Sequence, residues 1–544
     1  MDGHPFDESL KPMDLTRRTF AASVATMMVA PAAARAAIHT RPADGVYNVR
    51  SYGARGDGRT VDSPAINAAI VDASRAGGGT VLVPPGHYIS FSIRLLDNVT
   101  LLLARGCVLE AADPATHKGG YDLSESNFVE QFQDFGITQF HCSLIYADGA
   151  TNIAIGGQGL IHGKGLLHED TAARWHGVPG YRSPAEQGMT PRQARLSNPK
   201  EAALEGQGIR AVGIKNCRNV RLSDFTVLQG GHFSVHLLGV TNAVLDGLTV
   251  DTNRDGIDVD CCRDVIVSNC VVNAPMDDAI VLKSSYALDR KQLCENITVT
   301  GCRTSGYDMG TLLDGTFQTK TRWGRIIGRI KMGTESNGGF RNILITNCRC
   351  DHSRGILIGV IDGGVMEDVI VSNINLHQPL NHPLFVRQAA RLRAPQGTQV
   401  GACRRIAFSD VMASDVDARF ACGVAGIVDG WIDDVSFDNI HVASAGGGTA
   451  ADAALVPPER RESSLEVNFL GTMPAFGFWA RYARNLRLSN MTFDLAQPDA
   501  RPAIALDKVH GTIIDGMRAD TDAATAVRLT ACEDVTTTGV SRLR

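Results

Sequence analysis

The stretch Arg263–Pro275, RDVIVSNCVVNAP, decides the fold because it repeats a phrase found throughout the chain. Thr241–Asn253 reads TNAVLDGLTVDTN and Arg218–Gly230 reads RNVRLSDFTVLQG. Each copy has a polar residue, a short β-branched run, a small polar turn and a second short run. Asn219, Asn242 and Asp264 hold the same place in the phrase, at spacings of 23 and 22. Earlier copies start at Asn98 and Thr151. Later ones include ENITVTGCRTSG from Glu295, RNILITNCRCDH from Arg341, EDVIVSNINLHQ from Glu367 and RNLRLSNMTFDL from Arg484. Alternation of apolar and polar residues makes these runs strands. A strand pair this short cannot bury a face alone, so successive coils must stack. A period of 22–23 without intervening helices predicts an all-β chain, a right-handed parallel β-helix. A propeller blade needs about twice that period, and leucine-rich repeats would carry a Leu ladder. The Asn that precedes Cys in Asn216-Cys217, Asn269-Cys270 and Asn347-Cys348 is expected to be an inward turn residue, stacking from coil to coil.

The segment DSPAINAAIVDASRAGGG predicts a short N-terminal capping helix. Asp62 or Ser63 is the N-cap, Pro64 opens the helix, Ile66, Ile70 and Ala73 share a face, and Gly77 stops it. Such a helix covers the open end of the stack, which otherwise exposes sheet edges.

Composition bounds the rest. With 544 residues, 44% hydrophobic and 20% charged, the chain has ample material for a core. A formal net charge of −5 argues against a nucleic-acid partner, though not against a local basic patch. Thirteen cysteines form neither a C-x-x-C nor a zinc spacing, so buried free thiols are expected. Residues 1–37 read as a signal peptide. Leu15–Ala37, LTRRTFAASVATMMVAPAAARAA, has Arg17 and Arg18 before a short apolar run and small residues, which resembles a twin-arginine export signal. The mature chain, with residues 45–544 as one β-helix, is expected in the periplasm or outside the cell, without a membrane span.

Two acidic motifs mark the site. NRDGIDVD spans Asn253–Asp260 and MDDAIVLKS spans Met276–Ser284. Ile257 and Val259 point inward in the first, Ile280 and Leu282 in the second, at an offset of 23. That offset puts Asp255 beside Asp278 at about 4.8 Å of backbone separation. Asp277 joins them only if the chain bends there. Two carboxylates can hold and activate a water while a third, with a raised pKa, protonates a leaving oxygen. That equips the site for inverting glycoside hydrolysis, with acid and base about 6.5–9.5 Å apart. No cofactor and no metal is expected, although the same cluster has the donors for calcium.

NRDGID resembles the N-T-D-G-x-D motif, and MDDAIVLKS the D-D-C-I-x-[IV]-[KN]-S motif, of glycoside hydrolase family 28, the polygalacturonases. YNVRSYGARGDGRTVDSPAINAAI resembles that family's entry segment. The resemblance runs from about Tyr47 to the end. It implies a β-helix and a pectic polysaccharide or oligosaccharide substrate. Asp277 is then the general acid, Asp255 and Asp278 activate the water, and Asp258 supports them. Two departures stand out. GRIKMGTESNGG, Gly328–Gly339, has no His in place of the family's G-H-G. Arg329-Ile330-Lys331 matches the uronate-gripping R-I-K but falls a coil too early.

Further binding candidates are Lys283, just after the Asp pair, and His236, one coil before the first motif, with His232 nearby. The basic stretch Lys320–Lys331, with Arg322, Arg325, Arg329 and Lys331, reads as a solvated loop or a wall for uronate carboxylates. GTMPAFGFWARYAR reads as core more readily than as a sugar platform. Long loops at 165–205, 303–327, 390–402 and 445–475 gather on the functional face and favour chain-end cleavage. The alternatives are a calcium-dependent pectate-type lyase, with Lys283 or Arg329 as base, and a non-catalytic polysaccharide-binding β-helix.

Overall fold

The computed structural model describes residues 42–543, apart from 126–131, 133–135, 168–187, 189–192, 194–204, 323 and 522–525. Residues 41–544 cluster as one unit. The export signal read at residues 1–37 lies outside the described residues, as does most of the 165–205 loop. Among the described residues no helix is long and apolar enough to cross a membrane.

The chain winds as a right-handed parallel β-helix whose strands pair with those one coil away. Four of its strands are β1 (Phe233–Leu238), β2 (Asp255–Asp260), β3 (Ile280–Ser284) and β4 (Ile330–Ser336). β1 pairs with β2, β2 with β3 and β3 with β4, all parallel. The inward side chains stack in files. Val259 meets Leu282, Leu282 meets Met332 and Met332 meets Ile358. Val386 and Val424 continue the file. All of these are buried. Each contributes about 1.5–3 kcal/mol of apolar transfer, which holds the coils together and fixes their register.

Helix α1 (Ser63–Arg75) buries Ile66, Ala69, Ile70 and Ala73 against the first coil, as its pattern predicts. Asp62 is the N-cap position but makes no side-chain cap. Its carboxylate instead accepts from the backbone N–H groups of Arg55 (2.7 Å) and Gly56 (3.0 Å), tying the entry loop to the helix.

The Asn-Cys expectation needs correcting. Asn216, Asn269 and Asn347 are exposed, and the Cys after each is buried. The chain turns at these Asn with φ near +55°, a conformation Asn tolerates because its short amide bonds locally. Their amides bond from coil to coil on the outside: Asn269 donates to Asp246 at 2.8 Å and Asn347 accepts from Asn373 at 2.6 Å. All thirteen thiols are free and only Cys532 is partly exposed, as a core role requires. Phe476, Phe478 and Trp479 are buried and Tyr482 nearly so, which confirms the core reading of GTMPAFGFWARYAR.

Candidate active site

β2 and β3 bring the acidic motifs together in the register their spacing predicts. Ile257 lies opposite Ile280 and Asp258 opposite Val281. Just before that ladder, Gly256 N–H donates to the Asp278 carbonyl at 3.0 Å. Gly256 is required here. A Cβ would stand 2.4 Å from the Ala279 carbonyl oxygen and 2.3 Å from Val272, so any side chain would push the two coils apart. The chain bends at Asp277, whose carboxylate accepts from the Asp278 N–H at 3.1 Å. That bend lets neighbouring side chains converge. Oxygens of Asp255, Asp277 and Asp278 lie within 4.8 Å of one another. This is closer than the acid–base spacing of about 6.5–9.5 Å expected for inversion.

The three carboxylates open on a cleft of about 360 Å³, walled also by His232, Phe233, Arg254, Lys283, Arg325, Lys331, Glu335, Arg354 and Glu466. Each carboxylate has a different environment. Asp278 is buried, and its Oδ1 accepts from Arg329 Nε and its Oδ2 from Lys331 Nζ, both at 2.8 Å. Burial alone would raise its pKa, but Lys331 and Arg329 outweigh that and hold it below the ordinary carboxylate value. Asp255 is also buried. Burial, then the charge of Asp277, pushes its pKa well up against the attraction of Lys283. Sequence reasoning asked for one carboxyl of the cluster with a raised pKa, and Asp255 has one. Asp277 is the most open of the trio, with 21% of its side chain exposed, and pairs with Arg254 at 3.2 Å. The two sit one coil apart at the same offset of 23 that relates Asp255 to Asp278, so the repeat itself points to Arg254.

Asp258 and Lys283 form a buried pair beneath the cluster. Burial pushes Asp258 up to about 6 despite Lys283. Burial disfavours the Lys283 charge too, but Asp255 and Asp258 outweigh it and raise the pKa well above the ordinary value. Lys283 faces the cleft and lies 5.0 Å from the centre of the Phe233 ring. Asp258 has no exposure, so its part is to hold Lys283 rather than to touch a ligand.

Two further expectations meet the structure differently. His236 has no exposed surface. It packs on Phe140 and Phe233, and neither ring nitrogen has a hydrogen-bond partner among the described residues. Burial and the nearby Arg210 push its pKa well below 6.5, so it is a neutral core ring and not a substrate ligand. His232 is the histidine that lines the cleft. Arg329, read as a uronate ligand, is 1% exposed and fully engaged by Asp278 and Glu466. Within the basic stretch Arg322 turns away to Asp308, while Arg325 stays at the cleft, 4.0 Å from Asp277.

Glu466 is the residue sequence reasoning missed. It comes from the 445–475 loop, 137 positions from Arg329. Its Oε1 accepts from Arg329 and lies 3.5 Å from Lys331 Nζ, and its Oε2 accepts from Arg354 at 3.2 Å. Burial opposes its charge, but Arg329 and Lys331 pull its pKa far below the ordinary carboxylate value. Arg329-Ile330-Lys331 is thus built into the coil directly after the Asp pair, with Ile330 opposite Ile280. It neutralises Asp278 from the place where the resemblance led one to look for G-H-G.

The defining feature of the site is a carboxylate cluster in a groove across stacked coils, and comparison with known proteins shows what such a chain resembles. A family model described as "Rhamnogalacturonase A/epimerase, pectate lyase-like" matches residues 46–274. The chain is 23% identical over 349 residues to a probable polygalacturonase of Vitis vinifera, covering 60% of this chain and 59% of that protein. A mannuronan C5-epimerase of Azotobacter vinelandii, AlgE6, is 60% identical over 101 residues, 17% of this chain and 11% of the epimerase. Among solved structures, an exopolygalacturonase from Thermotoga maritima aligns with a TM-score of 0.54 at 17% identity, over 84% of this chain and 93% of that one. The chain resembles the family 28 polygalacturonases and shares their fold.

Proposed function

We propose that this chain is a glycoside hydrolase that cleaves pectic polysaccharide or oligosaccharide by inversion, acting from a chain end. One observation carries the reading: three carboxylates share a cleft, and of the three Asp278 alone has both oxygens bound by side-chain cations. Asp278, tied to Arg329 and Lys331, stays ionised and keeps little basicity. It orients a water. Burial and the nearby charge of Asp277 favour a bound proton on Asp255. That proton reaches the leaving oxygen through Asp277, which is nearer solvent. Asp255 is then the free base that draws a proton from the water held between it and Asp278. Oxygens 4.8 Å apart or less leave room for one water hydrogen-bonded to both. Because the trio is tighter than the usual inverting pair, inversion rests on the water entering from the Asp255–Asp278 side and not on acid–base distance. Loops bearing Arg325 and Glu466 wall the cleft, which supports the exo mode. The twin-arginine-like segment supports export.

Calcium chemistry on the same trio is disfavoured by the donors themselves, since both oxygens of Asp278 already accept from protein cations. Product analysis on a panel of pectic oligosaccharides, with and without chelator, tests the reading. Saturated products, unaffected by chelator, are expected. Unsaturated products that vanish with chelator would make the chain a lyase instead.

A further inference from the structure

We infer that Glu466 sets the sugar specificity of the cleft: its carboxylate fills the anion site made by Arg329, Lys331 and Arg354, so the ring seated against these cations is a neutral sugar. The inference rests on the proposed glycosidase reading for its use of the cleft, but its test reads binding alone.

Three cations converge on one point beside Asp278, and a guanidinium is well matched to a carboxylate. Left open, such a point would take the carboxylate of a uronate. Here a carboxylate of the chain itself occupies it, touching all three cations. The occupant is fixed rather than poised to leave. Leu465 and Val467 on either side of Glu466 are buried in a satellite core with Leu470, Met473 and Trp479. Arg387 ties the same loop down by donating to the Glu466 carbonyl at 2.9 Å, the Arg460 carbonyl at 3.0 Å and the Ser463 hydroxyl at 2.7 Å. Glu466 nevertheless faces the cleft, with 28% of its side chain exposed. A uronate arriving here would meet a fixed like charge and three cations already satisfied. A neutral hexose would meet a hydrogen-bond acceptor. Arg325, 46% exposed and 4.0 Å from Asp277, is the cation still open to an acidic ring elsewhere along the bound chain.

The test compares D-galacturonate with D-galactose, which differ at the carboxylate, by titration calorimetry on the full chain and on Glu466→Ala. Wild type is expected to bind galacturonate no more than about 3-fold more tightly than galactose, and Glu466→Ala to gain about tenfold or more for galacturonate only, since a vacated charged site rewards the matching ion. The gain should disappear in Glu466→Ala/Arg354→Ala, which locates it at this site. Should Glu466→Ala fail to fold, Glu466→Gln keeps the shape and removes the charge, and its melting temperature should rise with galacturonate but not with galactose. The inference is overturned if wild type already prefers galacturonate and keeps that preference in either variant, or if neither variant gains. Hydrolysis of pectic oligosaccharides is measured separately, so a failed specificity inference is distinguishable from a failed glycosidase reading.

Discussion

Replacing Arg329 by Met tests the electrostatic design of the site most severely. Arg329 is fully buried and donates to both Asp278 and Glu466. Met roughly fills the aliphatic volume but leaves two carboxylates facing a smaller positive charge. Breaking a buried pair by removing one partner costs about 3–5 kcal/mol, because the remaining charge stays desolvated. Part of that cost depends on pH, and its sign follows from Asp278. In the wild type its pKa is depressed, chiefly by Lys331 and Arg329 against the effect of burial. It therefore contributes stability above the unfolded value near 3.9 and loses it as pH falls through the folded value. Without Arg329 its pKa moves up, and each unit removes about 1.4 kcal/mol of that contribution at neutral pH. Denaturant unfolding at pH 7 and pH 4 should show a deficit of about 3–5 kcal/mol at pH 7 that shrinks at pH 4, where protonation of the orphaned carboxylates relieves them. A deficit under about 1 kcal/mol at pH 7, or one that grows on acidification, would refute the claim that Arg329 holds Asp278 ionised.

Other consequences follow from the same geometry. Asp277→Asn should abolish most turnover while leaving substrate binding nearly unchanged, and a substrate with a good leaving group should restore part of the rate, whereas Asp255→Asn and Asp278→Asn should not be rescued. Asp255→Asn should also stabilise the fold at pH 7, since burial and Asp277 make the ionised form costly. That gain should fade as pH drops toward the unfolded value near 3.9 and vanish below it, where folded and unfolded chains both bind the proton; a melting-temperature series checks it. Arg322→Ala should leave KM unchanged because Arg322 pairs with Asp308 at the surface, while Arg325→Ala should raise KM for acidic oligosaccharides.

The architecture and half of the site were legible because both follow from a repeat. A period of 22–23 fixes which residues share a file, so the stacking of Asp255 beside Asp278 is legible from an offset of 23 alone. Arg254 beside Asp277 obeys the same offset. What the repeat does not encode stayed hidden. Glu466 comes from a loop between coils, where spacing carries no register, and only the packing of Leu465 and Val467 aims it at the cleft. His236 shared the expected coil but faces the packed layer of Phe140 and Phe233, a distinction set by side-chain packing. The Asn before each Cys was assigned the wrong side because a left-handed turn, invisible in apolar alternation, reverses the direction of its side chain.

The central claim is that Asp277 delivers a proton to a leaving sugar while a water between Asp255 and Asp278 attacks from the opposite face. NMR of the first product formed from a pectic oligosaccharide, recorded before mutarotation, tests it most directly. The account predicts a saturated reducing end with inverted anomeric configuration, produced by the wild type and lost in Asp277→Asn. A product of retained configuration, or an unsaturated one, would contradict it.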